Sequence, residues 1–353
     1  MMHMRRVSVV FVVLGLALAS VAMAQEQPVA ASGDTPVAGL VDQFGGVTVW
    51  STPEAGGYAL MARTSAGVVR LPIGPRAVPF DVDLGPDGSG GVVGVYSRCS
   101  SEPMGSRAAL DRGIFAVPGP AYTTGRGCDL YRFDFATRRE AKIASTSTAT
   151  GSEMLPSYWN GSLAFVRVYQ GRKGRSGVYP HLYLRTAAGK TRKLPGGPRG
   201  VTGLPGPTNL DLNDRTVGFI WNYTTNRGTQ GRSEVRVDTL DGRSRRVAHT
   251  SLDVVNGSYA TFLSPTVSSG TIYYGYQRVR GLMGFARPPR SASSRVFGVR
   301  LRTRRRVSAP APPFLTGFGI DATTTAYGVA FDGEQYFIPR GSVLVDGPLD
   351  WRP

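Results

Sequence analysis

A short apolar strand led in by a turn returns roughly every fifty residues along this chain, and a period of that length restricts the fold to an array of small repeated units. The strands read GGVTVWS from Gly45, GVVGVYSR from Gly91, GSLAFVRVY from Gly161, TVGFIWNY from Thr216, TIYYGYQ from Thr271 and TAYGVAF from Thr325. One step is longer than the others, and it contains an insertion bounded by Cys99 and Cys128. Around each apolar strand the order is the same: an inner strand, a turn, the apolar strand, a polar loop, a third strand of alternating side chains and a short basic fourth strand. Blade three shows it as MLPSYW, NG, SLAFVRVY, HLYLRT and TRKLP, and blade four as NLDL, TVGFIWNY, SEVRVDTL, DGR and SRRVAH. A four-stranded sheet with apolar residues on both faces must stack on a neighbour, so the units close into a ring.

The expected fold is therefore all-β: a six-bladed β-propeller of four-stranded antiparallel blades. The blades are placed at about residues 35–75, 78–147, 152–196, 207–252, 258–310 and 315–350, within a propeller domain spanning 35–353. No segment carries helical apolar spacing, and 46 glycines and 25 prolines oppose helices of any length. Before the ring stand Arg5 and Arg6, the apolar run Val7 to Ala19 and the small-residue site Ala22-Met23-Ala24, the pattern of a signal peptide over residues 1–24 cleaved before Gln25. Residues 25–34 are small and polar and read as a linker. The apolar run is too short to span a bilayer and no second run approaches that length, so the mature chain is expected to be secreted or in the cell envelope, with no transmembrane segment and as a monomer.

The formal charge is +17, and lysine contributes only Lys142, Lys173, Lys190 and Lys193. Such an arginine skew is what a GC-rich genome produces, which weakens charge alone as evidence of a partner. Two cysteines in an exported chain are expected to pair, Cys99 with Cys128, and to pin the mouth of the insertion. Closing a loop of that size would stabilise the fold by roughly 3–4 kcal/mol on the chain-entropy model.

The segments LPSYWNGSLAF and LSPTVSSGTIYY resemble degenerate copies of the Pro-x-Trp-Ser-Pro-Asp-Gly repeat of TolB-like, WD40-like β-propellers, in which the repeat joins first and second strands. Blade three matches best, with Asn160 where the repeat has Asp. The layout is also similar to that of exported propellers of high-GC bacteria. The resemblance implies the fold and names no activity.

No Gly-x-Ser-x-Gly elbow occurs, and neither His181 nor His249 is accompanied by a nucleophile motif, so catalytic residues are not assigned. Close-spaced Cys/His ligands are absent, and no metal or cofactor is expected. DVDLGPDG, with Asp81, Asp83 and Asp87, looks like a calcium loop but has Gly85 at a ligand position. Asp83, Asp211 and Asp321 fall at similar places in three blades and are expected to accept backbone N–H bonds of the turns; the alternative is a ring of acceptors around a channel cation.

The connections between second and third strands emerge on one rim of a propeller, and four of them are long. They carry Arg107, Arg112, Arg126, Arg172, Lys173, Arg175, Arg227, Arg232, Arg278, Arg280, Arg287 and Arg290, opposed only by Glu102 and Asp111. Tyr122, Tyr169, Tyr179, Trp221, Tyr223 and Phe285 stand close by in sequence. This rim is expected to bind an anionic envelope polymer or an acidic protein partner rather than nucleic acid, for which no reading motif exists. The alternative function is a lyase or hydrolase acting on a carbohydrate or lactone in the central channel. The basic fourth strands, with Arg192, Lys193, Arg245, Arg246 and Arg304 to Arg306, are read as outer edges protected by charge.

Overall fold

The computed structural model describes residues 27–28, 38–55, 57–101, 126–170, 178–197, 206–225, 230–251, 259–280, 291–311, 315–321, 324–331, 341–347 and 352. The first strand is β1 (Gln27–Pro28). Blade one holds β2 (Ala38–Phe44), β3 (Val47–Glu54), β4 (Gly57–Thr64) and β5 (Gly67–Arg70). Blade two holds β6 (Asp83–Pro86), β7 (Val92–Ser101), β8 (Arg126–Asp134) and β9 (Arg139–Lys142). Blade three holds β10 (Gly151–Trp159), β11 (Ser162–Gln170), β12 (Val178–Arg185) and β13 (Thr191–Lys193). Blade four holds β14 (Gly206–Asn213), β15 (Thr216–Thr225), β16 (Gln230–Thr239) and β17 (Ser244–Ser251). Blade five holds β18 (Tyr259–Ser268), β19 (Thr271–Arg280), β20 (Ser291–Arg300) and β21 (Arg306–Ala311). The chain then adds β22 (Leu315–Asp321), β23 (Thr324–Phe331) and β24 (Gly341–Gly347). A single 3-10 turn, Ala144–Thr146, is the only helical element among the described residues.

Each blade pairs its strands in chain order, antiparallel throughout. The first strands neighbour one another in a ring: β2 beside β6 and β22, β10 beside β6 and β14, β18 beside β14 and β22. Its fold is a β-propeller. The expectation of six blades is corrected to five, because among the described residues five sheets are built of four consecutive strands. The remaining sheet is a composite of order β1-β24-β23-β22, whose outer edge is Gln27–Pro28, from the segment read as a linker. β24, within RGSVLVDG, pairs directly with β23 and is therefore the third strand of this sheet counted from the hub.

Local chemistry explains the elements. The first hairpin of blades one, three and five turns through Gly45-Gly46, Asn160-Gly161 and Ser269-Gly270, where both residues have positive φ, as a two-residue turn matched to strand twist requires. The inner strands β2, β10, β14, β18 and β22 each carry a register shift. In β10 and β18 the shift coincides with Leu155-Pro156 and Ser264-Pro265, with Leu155 and Ser264 at positive φ. Proline lacks a ladder donor and settles at bulges, so the motif-like LPS and LSP segments are bends in the inner strands.

The core lies between blades. Val93, Val95 and Leu130 of blade two pack on Tyr158, Leu163 and Phe165 of blade three. Met154, Val166 and Leu184 of blade three meet Leu212, Phe219 and Trp221 of blade four. Ile220, Val235 and Val237 of blade four meet Phe262, Ile272 and Tyr274 of blade five. Each sheet thus depends on its neighbours for burial, as the two-faced apolar pattern demands.

Candidate functional site: the long-loop rim and the hub behind it

Because all five blades run from inside to outside in the same order, their second-to-third connections share one rim. Cys99 and Cys128 face each other in register on β7 and β8 and are joined by a disulfide, so the insertion they bound is clamped at its base. Four of the twelve expected rim cations lie among the described residues. Arg126 sits opposite Ser101, Arg232 opposite Tyr223, Arg278 opposite Ser293 and Arg280 opposite Ser291, at the strand ends that flank the connections. All four are exposed, and none has a carboxylate partner among the described residues. Arg107, Arg112, Arg172, Lys173, Arg175, Arg227, Arg287 and Arg290 lie outside the described residues, as do Tyr122, Phe285 and the side chain of Tyr179. Trp221 and Tyr223 are buried and offer no face for stacking; Trp221 packs on Gly196 and Gly197.

Beneath the rim, blades three and four each hold a buried ion pair that sequence reasoning missed. In blade three the Arg167 guanidinium bonds the Glu153 carboxylate at 2.7 Å and the Thr146 carbonyl at 2.9 Å, and lies over the Tyr183 ring at 4.7 Å. Thr148 donates to the same Glu153 oxygen, and the Tyr169 and Tyr183 hydroxyls meet at 3.2 Å. Burial pushes the Glu153 carboxyl up despite these bonds. In blade four Glu234 accepts from Tyr223, Arg236 and Arg246. Burial raises its pKa, but the three donors outweigh it and hold the carboxyl below its ordinary value. The His181 pKa is lowered by burial and by Lys193, and the ring lies beside that of Tyr169. The arrangement locks strand ends in place, and among the described residues it contains no base–nucleophile pair. Neither carboxylate announces itself in the sequence, because Glu153 and Glu234 stand on strands at positions where alternation allows either face.

At the hub, the inner-strand carboxylates bond across blade boundaries. Asp42 accepts the Leu84 N–H at 2.5 Å, Asp83 the Tyr158 N–H at 2.9 Å, and Asp211 the Val267 N–H. Ser157 does the same for the Leu212 N–H at 2.5 Å. Each staples its blade to the next one round, so Asp83 and Asp211 serve a neighbouring inner strand rather than their own turns as expected. Asp42, Ser157, Asp211, Thr266 and Gly319 are register equivalents, each two residues before the last pair of its first hairpin. The reading of Asp321 as the counterpart of Asp211 is corrected: Gly319 holds that place. A Cβ there would come within 2.5 Å of the Gln43 nitrogen, so the β22–β2 seam is too close for a side chain.

Burial, together with repulsion from Asp42 and from Asp211, raises the Asp83 carboxyl well above its ordinary value, and burial with Asp42 does the same to Asp211. Asp81, two residues from Asp83, behaves oppositely. Burial works against its charge, but Arg76 at 2.6 Å, the Ser97 hydroxyl at 2.6 Å and the N–H groups of Ser97 and Leu155 hold it below its ordinary value. Asp87 caps its own turn through Ser89 and Gly91. The three aspartates of the calcium-like segment thus serve three separate places, and among the described residues no three His, Cys, Asp or Glu side chains meet as a metal site.

No family model and no curated protein matches the chain. It is similar in fold to TolB from Acinetobacter baumannii, at 11% identity and a TM-score of 0.44 over 78% of this chain and 54% of that one. It is also similar to the β-propeller domain of the Trilobed protease from Pyrococcus furiosus, at 9% identity and a TM-score of 0.40, covering 90% and 97%. Pyrococcus horikoshii acylaminoacyl peptidase matches at 8% identity and a TM-score of 0.41, covering 84% and 49%. The chain spans about half the length of the TolB structure. The TolB-like resemblance read from LPSYWNGSLAF is one of fold. Among the described residues no helix is long and apolar enough to cross a membrane.

Proposed function

We propose that the protein is an exported, non-catalytic propeller scaffold that uses its long-loop rim to bind an anionic envelope polymer or an acidic protein surface. The observation that carries this reading is the common placement of Arg126, Arg232, Arg278 and Arg280: exposed, without carboxylate partners among the described residues, at the strand ends that open onto one rim. Guanidinium groups so placed can form bidentate bonds to carboxylate or phosphate. The Cys99–Cys128 disulfide suits an oxidising compartment and, with the signal-like residues 1–24, supports export.

The test is binding of the purified protein to polyglutamate, followed as salt is raised from about 0.01 to 0.15 M, where screening shortens from ~30 to ~8 Å. Binding should weaken with salt and fall at least tenfold when the four arginines are changed together to alanine. Unchanged affinity in that variant, with an unchanged melting curve, would dismiss the rim as the working surface.

A further inference from the structure

Between the outer strand β17 of blade four and the face of blade five lies a cleft of about 550 Å³, whose lining includes none of the rim cations. It exists because of a local difference between neighbouring blades. Trp221 of β15 and Tyr276 of β19 are register equivalents, each five residues into its strand. Over Trp221 the chain leaving blade three places Gly196 and Gly197, which seal that seam. Over Tyr276 the longer β17 runs past with Val247 and Ala248, at a register shift opposite Val235 and Arg236, and leaves the ring half-buried.

The floor is aromatic. Phe262 meets Tyr274 edge-on at 5.4 Å, Tyr274 lies 5.6 Å from Phe297, and Tyr276 lies 6.2 Å from Phe297. The mouth is cationic, with Arg245, Arg246, Arg304 and Arg306. Arg246 reaches Glu234 at 3.2 Å, and Arg245 donates to the Leu301 carbonyl at 3.1 Å. Arg306 lies over the Phe297 ring at 3.8 Å. Neither Arg304 nor Arg306 has a carboxylate partner among the described residues. Burial and the nearby Arg304 charge both lower the Arg245 pKa, so positive groups gather here against their own repulsion.

We propose that this cleft binds a small organic anion with an aromatic body, the ring on the Phe262, Tyr274, Tyr276 and Phe297 floor and the carboxylate or phosphate held by Arg304, Arg306 and Arg245. The volume falls within the range of ordinary ligand pockets, and a guanidinium stacked on an aromatic face presents its N–H edge to an oxyanion. The site is independent of the rim reading.

Isothermal titration of the full chain with 2-naphthoate and with 2-naphthyl phosphate tests it, using 2-naphthol and acetate as probes lacking one half of the recognition. Saturable binding at one site is expected for both aromatic anions, with 2-naphthol and acetate at least tenfold weaker. Arg304→Gln with Arg306→Gln should weaken the anions at least tenfold and leave 2-naphthol unchanged, while Tyr276→Leu should weaken all ring-bearing probes. Arg126→Ala, on blade two, should bind as the wild type does. The preferred anion of the two tells carboxylate from phosphate. Equal binding of 2-naphthol, no loss in the double-arginine variant, or no binding of either aromatic anion would overturn the proposal; a melting curve for each variant separates these outcomes from misfolding.

Discussion

Asp81→Asn and Asp83→Asn should have opposite consequences, although the two residues sit two positions apart in one segment. Asp81 forms an ion pair with Arg76 whose side chains are 0% and 2% exposed, and it accepts from Ser97 and Leu155. Removing one partner of a buried pair leaves the other charge without compensation, which typically costs about 3–5 kcal/mol. Asp83 has no cationic partner among the described residues; it faces Asp42 and Asp211 and accepts from the Tyr158 N–H and from Ser157. An asparagine oxygen can still accept that N–H, so the loss should stay within about 1 kcal/mol. The pH dependence separates the cases further. Asp83 has a raised folded pKa, so its contribution is complete below the ordinary value of 3.8 and is lost as pH rises through the folded value. Asp83→Asn should therefore gain on the wild type as pH increases. Asp81 has a lowered folded pKa, so its contribution is complete above 3.8 and is lost as pH falls through the folded value. The deficit of Asp81→Asn should shrink at acid pH. Urea unfolding of the three proteins across this range, compared at each pH, measures both. If Asp83→Asn is the more damaging change near neutrality, or if its difference from the wild type does not move with pH, the assignment of repulsion at the hub is refuted.

Other perturbations probe the seams. Phe165→Ala, at the fully buried contact between blades two and three, should destabilise by about 3–5 kcal/mol in the same assay. Gly319→Ala forces a Cβ onto the β2 backbone and should cost about 1–3 kcal/mol in the same assay. Replacing Cys99 and Cys128 together with serine should lower stability by about 3 kcal/mol under oxidising conditions and abolish the sensitivity of the unfolding midpoint to dithiothreitol.

The blades were readable because their signals are local. Apolar β11, β15 and β19 stand next to turns such as Asn160-Gly161, and the alternation in TVGFIWNY fixes both faces. The pairing of Cys99 with Cys128 followed from there being no other cysteine. The composite sheet was not readable, since the two residues Gln27–Pro28 have no period and find their partner at the far end of the chain. Asp321 was misplaced by position in sequence, which differs from position in register once β2, β10, β14, β18 and β22 each shift at a bulge. The Glu153–Arg167 pair and the cleft over Tyr276 depend on contacts between elements, and no window along the chain contains them.

The pairing of Gln27–Pro28 with Gly341–Gly347 ties the order of synthesis to the order of assembly. A ribosome must have read out Gly341–Gly347 before Gln27–Pro28 acquires a partner, so the wheel stays unlatched until those strands emerge. A force applied at the start of the chain, as by a tether, would peel off that two-residue latch before it loaded any contiguous blade.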